Sequence, residues 1–215
     1  MGILQQVKIT EKRDVWKWVN DFNEGYSVKA VRMELAGIQN ATRTEQLFVW
    51  NSWAPLKVNY LAWRAIEGKI ASKIALTNRG CNFENLVCDR CGLYNEDTNH
   101  ILVGCLWART TWWHVCRWID IQFPVAAESA KEILVYMQSQ IGSRRWKKII
   151  NVAALATIWR LWEARNAMVF DGNFVPVKRI VENIKEDVYV WCTYRSNLKA
   201  LAWEKWVDFE ISELL

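Results

Sequence analysis

Cys88-Asp89-Arg90-Cys91-Gly92-Leu93-Tyr94-Asn95-Glu96-Asp97-Thr98-Asn99-His100-Ile101-Leu102-Val103-Gly104-Cys105 spaces its soft ligands as C-x2-C-x8-H-x4-C. Three cysteines and one histidine are a donor set for one tetrahedral zinc ion. The short step from Cys88 to Cys91 lets a tight turn aim both thiolates at one centre, and Gly92 supplies the positive φ that such a knuckle uses. His100 and Cys105 do not share an α-helical face, because the helix repeats every ~3.6 residues. They are expected to straddle a bend at Gly104, with a helix starting near Cys105. A lone C-x-x-C also reads as a thioredoxin-like redox pair. The added His and Cys favour a structural zinc, closed by four protein ligands and with no position left for chemistry. Cys81, seven residues before Cys88, is an alternative ligand. Cys116 and Cys192 read as small buried hydrophobes.

At 215 residues, 52% of them apolar and 24% charged, the chain reads as globular, with one domain or two small ones. The fifteen tryptophans are spread along the chain and read as core anchors. A net charge of +5 and a pI near 8.9 are mildly basic and compatible with nucleic acid. Zinc-like cysteine spacing and the absence of a secretory leader point to a reducing, intracellular compartment. Gln6 stands where a myristoylation signal wants Ser or Thr, and no run approaches the ~20 apolar residues of a membrane span.

Outward from the knuckle, the pattern is mainly α. A helical domain is organised around one structural zinc knuckle, with a small N-terminal β-hairpin. Asp14 to Val19 alternates like a strand, Asn20 to Gly25 is turn chemistry, and Ser27 caps a helix to about Ala36. Leu47 to Trp53 is apolar, with Trp50 and Trp53 one turn apart. Pro55 opens a mostly buried helix through Ile66 that ends at Gly68. Ile70 to Arg79 reads as a short helix closed by Gly80. After the knuckle come helices at Leu106–Asp120, Ser129–Gln140 and, capped by Ser143, on to Phe170 with an amphipathic stripe. Pro176 opens the last long helix, with Val177, Ile180, Ile184, Val188, Trp191 and Leu198 inward. The expected organisation is residues 1–45 as hairpin and helix packed on the next region, 46–120 as a zinc-binding core, and 121–215 as a C-terminal helical region.

Pro55-Leu56-Lys57-Val58-Asn59-Tyr60-Leu61-Ala62-Trp63-Arg64-Ala65, then Leu76-Thr77-Asn78-Arg79-Gly80, the C-x2-C, Glu96, His100-Ile101-Leu102 and Cys105 form a pattern. It resembles the reverse transcriptase zinc-binding domain of plant LINE-type, non-LTR retrotransposons. Asp14-x-Trp16-x-Trp18 with Gly25-Tyr26-Ser27-Val28-Lys29 is similar to that family's opening. Ile158-Trp159-x-x-Trp162-x-x-Arg165-Asn166-x-x-x-Phe170 looks like the segment that follows its zinc domain. The resemblance covers roughly residues 14–172. Ile101-Leu102 departs from the usual Leu-Phe. No polymerase palm carboxylates and no ribonuclease H domain are read in these residues. The resemblance therefore implies a nucleic-acid-associated module without the catalytic parts, and a nuclear location.

No catalytic residue is assigned. His100 belongs to the metal set, and His114, among Trp112, Trp113 and Val115, reads as a packed histidine. No phosphate loop, nucleophile elbow or paired-carboxylate motif appears. Two basic groups could meet phosphate. Arg144, Arg145, Lys147 and Lys148 crowd a helix N-terminus, where the macrodipole disfavours cations, although such runs are also ordinary solvated faces. Lys57, Arg64, Lys69, Lys73, Arg79 and Arg90 surround the helix pair and knuckle, with Tyr94 available to stack on a base. RNA or single-stranded nucleic acid is the expected partner, held by phosphate contacts with little sequence readout. The alternative is a protein-interaction or assembly module that uses exposed Trp-rich helices or the stripe of helix 177–198. Neither a membrane nor a small-molecule substrate is implied.

Overall fold

The computed structural model describes residues 27, 28, 31, 32, 48–196 and 202–210. The chain divides into two compact units, residues 1–47 and 48–215. In the first, Val28, Val31 and Arg32 are helical, and the Val31 N–H donates to the Ser27 carbonyl at 3.2 Å. The expected hairpin over residues 14–25 lies outside the described residues.

The second unit is helical, with no strand among its described residues. α1 (Leu56–Ile66) follows Pro55, whose φ of −56° and ψ of 147° start the helix without an unsatisfied N–H. α2 spans only Lys73–Thr77, shorter than the expected Ile70–Arg79. The reason is Ser72, an extended residue whose Oγ accepts the Ala75 N–H at 3.2 Å and so fixes the helix start there. Next come a π-helical turn at His100–Gly104, α3 (Leu106–Trp118), α4 (Ala130–Ser139), α5 (Arg144–Asp171), α6 (Val177–Arg195) and α7 (Trp203–Val207). Ser129 and Ser143 cap α4 and α5 through their Oγ atoms. At the start of α4, Glu132 answers Ser129 in a capping box by accepting from the Glu128 N–H and the Ser129 hydroxyl, which holds its carboxyl below the usual range.

α5 is the axis of this unit. The sequence pattern suggests an amphipathic helix, yet every residue from Ile149 to Ile158 is buried. The cause is its surroundings: α1, α3, α4, α6 and the π turn all pack on it. Ala153, Ala154 and Ala156 keep it slim enough to be enclosed. The inward stripe of α6, Ile180, Ile184, Val188 and Cys192, is buried in the same core. Of the stripe read as an offer to a partner, Ile180, Ile184 and Val188 are thus covered within the protein, Val177 and Trp191 are half-buried, and Leu198 lies outside the described residues.

The tryptophans divide by position. Trp112 and Trp206 are fully buried, and both satisfy their indole N–H on backbone oxygens, of Leu102 at 2.7 Å and Lys185 at 2.8 Å. Trp118 joins Trp206 and Phe209 in edge-to-face contacts. Trp50, Trp113 and Trp203 are exposed, so the tryptophans are not uniformly core anchors.

α1 is tied to α5 by an asparagine network. The Asn51 N–H donates to Asn59 Oδ1, and Asn59 Nδ2 donates back to the carbonyls of Asn51, Ala54 and Pro55. Asn51 Nδ2 reaches across to the Lys148 carbonyl and to Asn151 Oδ1. Asn59→Ala strands the buried Asn51 N–H, and is expected to lower unfolding stability in urea by about 2 kcal/mol. A loss below about 0.5 kcal/mol would show that the network carries little.

Candidate metal centre

The knuckle is a backbone device. The Gly92 N–H donates to the Cys88 carbonyl at 2.8 Å, and Gly92 has a φ of 66°, which a glycine adopts without strain. The Cys88 N–H donates to the Tyr94 carbonyl, and a single antiparallel bridge pairs Val87 with Asn95. The other half comes from the π turn. Its Cys105 N–H donates to the His100 carbonyl at 2.7 Å, five residues back. This wider turn brings residues 100 and 105 to one centre, which an α-helix would not do. The chain changes direction at Cys105, with φ −63° and ψ 136°, and not at Gly104 as the sequence suggests. Asp97 Oδ1 accepts the His100 N–H at 2.6 Å and holds the start of the turn.

Cys88, Cys91, His100 and Cys105 converge, their ligand atoms all within 4.8 Å of one another. Cys91 Sγ lies 3.2 Å from His100 Nε2. A zinc–sulfur tetrahedron of radius ~2.3 Å has edges of about 3.8 Å, so the four donors need only small movements to enclose one ion. The donors are soft, and Cys88, His100 and Cys105 are buried. Four protein donors would leave no open position. Without a metal, the Cys105 thiol donates to Cys88, which, with help from the Cys91 and Arg90 backbone, pushes Cys88 down to about 4 against the opposing effect of burial. The same bond, and then burial, push Cys105 up. A cation bound here would take the cysteines as thiolates and release their protons. Cys81 is exposed and outside this cluster, whereas Cys116 and Cys192 are buried and burial pushes each up to about 12.

Residues 26–112 match the model of a family described as zinc-binding in reverse transcriptase. The chain matches no curated protein and no solved structure. The matched segment holds all four converging side chains, α1, α2, the π turn and the first half of α3. It does not stand alone. Glu96, fully buried beside the knuckle, is held by Arg165 of α5, Nη2 to Oε1 at 2.5 Å and Nε to both oxygens at 3.2 Å. Glu96 Oε1 also accepts the Lys73 N–H at 3.1 Å. One carboxylate therefore joins the knuckle, the start of α2 and α5.

The basic residues in and around this segment separate into two kinds. Lys73 is buried, with its Nζ 2.8 Å from both the Val87 carbonyl and Asp89 Oδ1, so it braces the knuckle. Arg90 donates to the Val175 carbonyl at 2.9 Å and lies over the Phe174 ring, and burial lowers its pKa. Both are turned inward, which their one-letter identities do not reveal. Lys57, Lys69, Arg79, Arg144 and Arg145 are exposed, while Arg64, Lys147 and Lys148 are half-buried. Tyr94 is exposed, its ring 5.8 Å from that of His100. His114 is exposed and makes an edge contact with Trp113, a correction to its reading as a packed histidine. Its position at the outer face of α3 accounts for this. No helix among the described residues is long and apolar enough to cross a membrane.

Proposed function

We propose that the chain is a non-catalytic module in which one structural zinc orders the knuckle, and in which exposed cations bind RNA or single-stranded nucleic acid. The convergence of the three cysteines and the histidine inside a segment that matches a reverse-transcriptase zinc-binding family carries this reading. A closed tetrad leaves the ion no substrate position, so its contribution is folding energy. Affinity would come from phosphate contacts by Lys57, Arg64, Lys69, Arg79 and the Arg144–Lys148 group, the cations not turned inward. The finer resemblance to plant LINE-type elements, and a nuclear location, belong to the same proposal. The competing reading, a protein-assembly module, has less of the α6 stripe to use, since Ile180, Ile184 and Val188 are buried.

The test is fluorescence anisotropy of the zinc-loaded chain with a labelled single-stranded RNA across a salt series. With four phosphate contacts, log affinity is expected to fall against log salt with a slope of about −3, or some fifty-fold between 50 and 200 mM. A flat profile, or no binding at low salt, would remove the nucleic-acid reading and leave the protein-partner one.

A further inference from the structure

Resting on that reading, we propose that the nucleic-acid surface is the outer face of α1 together with the adjoining edge of α5, not the knuckle, and that it takes unpaired bases. Along this face cations and aromatic rings alternate. Lys148 Nζ sits 4.7 Å from the Trp53 ring centre and bonds the Ser52 hydroxyl at 3.0 Å. Lys57 Nζ sits 4.8 Å from the ring centre of Trp159 on α5. Arg64 lies over Tyr60 at 6.0 Å, and Lys69 over Trp63 at 5.5 Å. Tyr60 and Trp63 face one another with centroids 5.7 Å apart. Lys57, Tyr60 and Arg64 fall at i, i+3 and i+7, one side of the helix.

The chemistry selects the partner. Tyr60 keeps half its surface exposed although Arg64 and Trp63 lie against it. Trp53, Trp63 and Trp159 are half-buried under their lysines, so Tyr60 is the ring with a π-face to offer a base, and the cations along the face offer charge to the phosphates that flank it. In a duplex the base faces are stacked on one another and unavailable, so the aromatic part of this surface is useful only to a single strand. A protein partner would need acidic groups at the spacing of the cations. The one acidic side chain recorded within the stripe, Glu67, already pairs with Lys69 at 3.3 Å. At ~1.5 Å per residue, α1 gives a track of about 16 Å, and Arg144 and Arg145, one turn from Lys148, extend it.

The test uses the full zinc-loaded chain with a 20-nucleotide oligouridylate and an RNA duplex of equal length. Tyr60→Ala is expected to weaken oligouridylate binding at least fivefold with an unchanged salt slope, and to leave duplex binding as it was. Lys57→Ala/Arg64→Ala is expected to weaken both ligands and to reduce the single-strand slope by about 1.4. Lys178→Ala/Arg179→Ala, an equal charge change on exposed α6 positions, should leave the single-strand slope near its original value. If the chain binds oligouridylate but Tyr60→Ala binds it equally well, or the α6 pair costs as much as the α1 pair, this inference is overturned while the broader reading stands. If the unaltered chain binds neither ligand, both fall. Melting curves of each variant confirm that a loss is not unfolding; should Tyr60→Ala melt early, Tyr60→Leu, which keeps bulk without a π-face, replaces it.

Discussion

Cys88→Ser is expected to strip the metal from the protein and to unfold the knuckle with it. Cys88 is buried at the centre of the tetrad, accepting from Cys105 and bonded through its own backbone to Tyr94 and Gly92. Within residues 78–99 the only ladder is one isolated bridge and most side chains are exposed, so apart from the tetrad the segment is held by a few ties, through Lys73, Arg90 and Glu96. A structural zinc in a small module contributes apparent binding energies of ~10–16 kcal/mol, against a total stability of ~5–15 kcal/mol for a typical domain. Losing one of four ligands should therefore cost more than any single packing change in this molecule. Zinc measured by mass spectrometry should drop from about one ion per chain to near none, and the melting transition should fall by more than 10 °C or lose its cooperativity. Cys81→Ser, on an exposed cysteine outside the cluster, should change neither quantity. A Cys88→Ser protein that keeps its zinc and its melting curve would remove the metal assignment.

The second large effect belongs to Glu96. Its carboxylate is fully buried, gripped by Arg165, and also accepts the N–H at the start of α2. Removing one partner of a buried ion pair leaves the other charge uncompensated in a poorly solvated site, at a cost of about 3–5 kcal/mol. Glu96→Ala is thus expected to lower the urea midpoint and to shift melting by roughly 6–20 °C. The double variant Glu96→Leu/Arg165→Met removes both charges and should recover more than half of the loss, since apolar replacements of buried pairs are often nearly neutral. Equal losses in single and double variants would mean that the Lys73 N–H, not the ion pair, is what Glu96 serves. A single-variant loss under 1 kcal/mol would contradict the picture of one carboxylate clamping three elements.

Much of this molecule is legible in its sequence because strong local signals control it. Ser143, Pro176 and Gly172 mark helix ends where the structure has them, since caps and ring constraints act within a few residues. The convergence of Cys88, Cys91, His100 and Cys105 is legible for a similar reason: their spacing is what a tetrahedral ion demands. What escaped were features that depend on neighbours far along the chain. α5 shows an amphipathic pattern, but five elements converge on it and bury both faces of its middle. The inward turn of Lys73 requires Asp89, and that of Arg90 requires Val175, eighty-five residues away. The π turn was hidden because a five-residue step between ligands reads equally as a bend. The clue was the step itself, which a π turn spans in one hydrogen bond.

X-ray absorption at the zinc edge of the purified full chain tests the central claim most directly. The expected result is a closed four-coordinate shell of three sulfurs at about 2.3 Å and one nitrogen at 2.0–2.1 Å, from Cys88, Cys91, Cys105 and His100. A protein that carries no zinc after purification in zinc-containing medium, or a shell dominated by oxygen with a coordinated water, would contradict it.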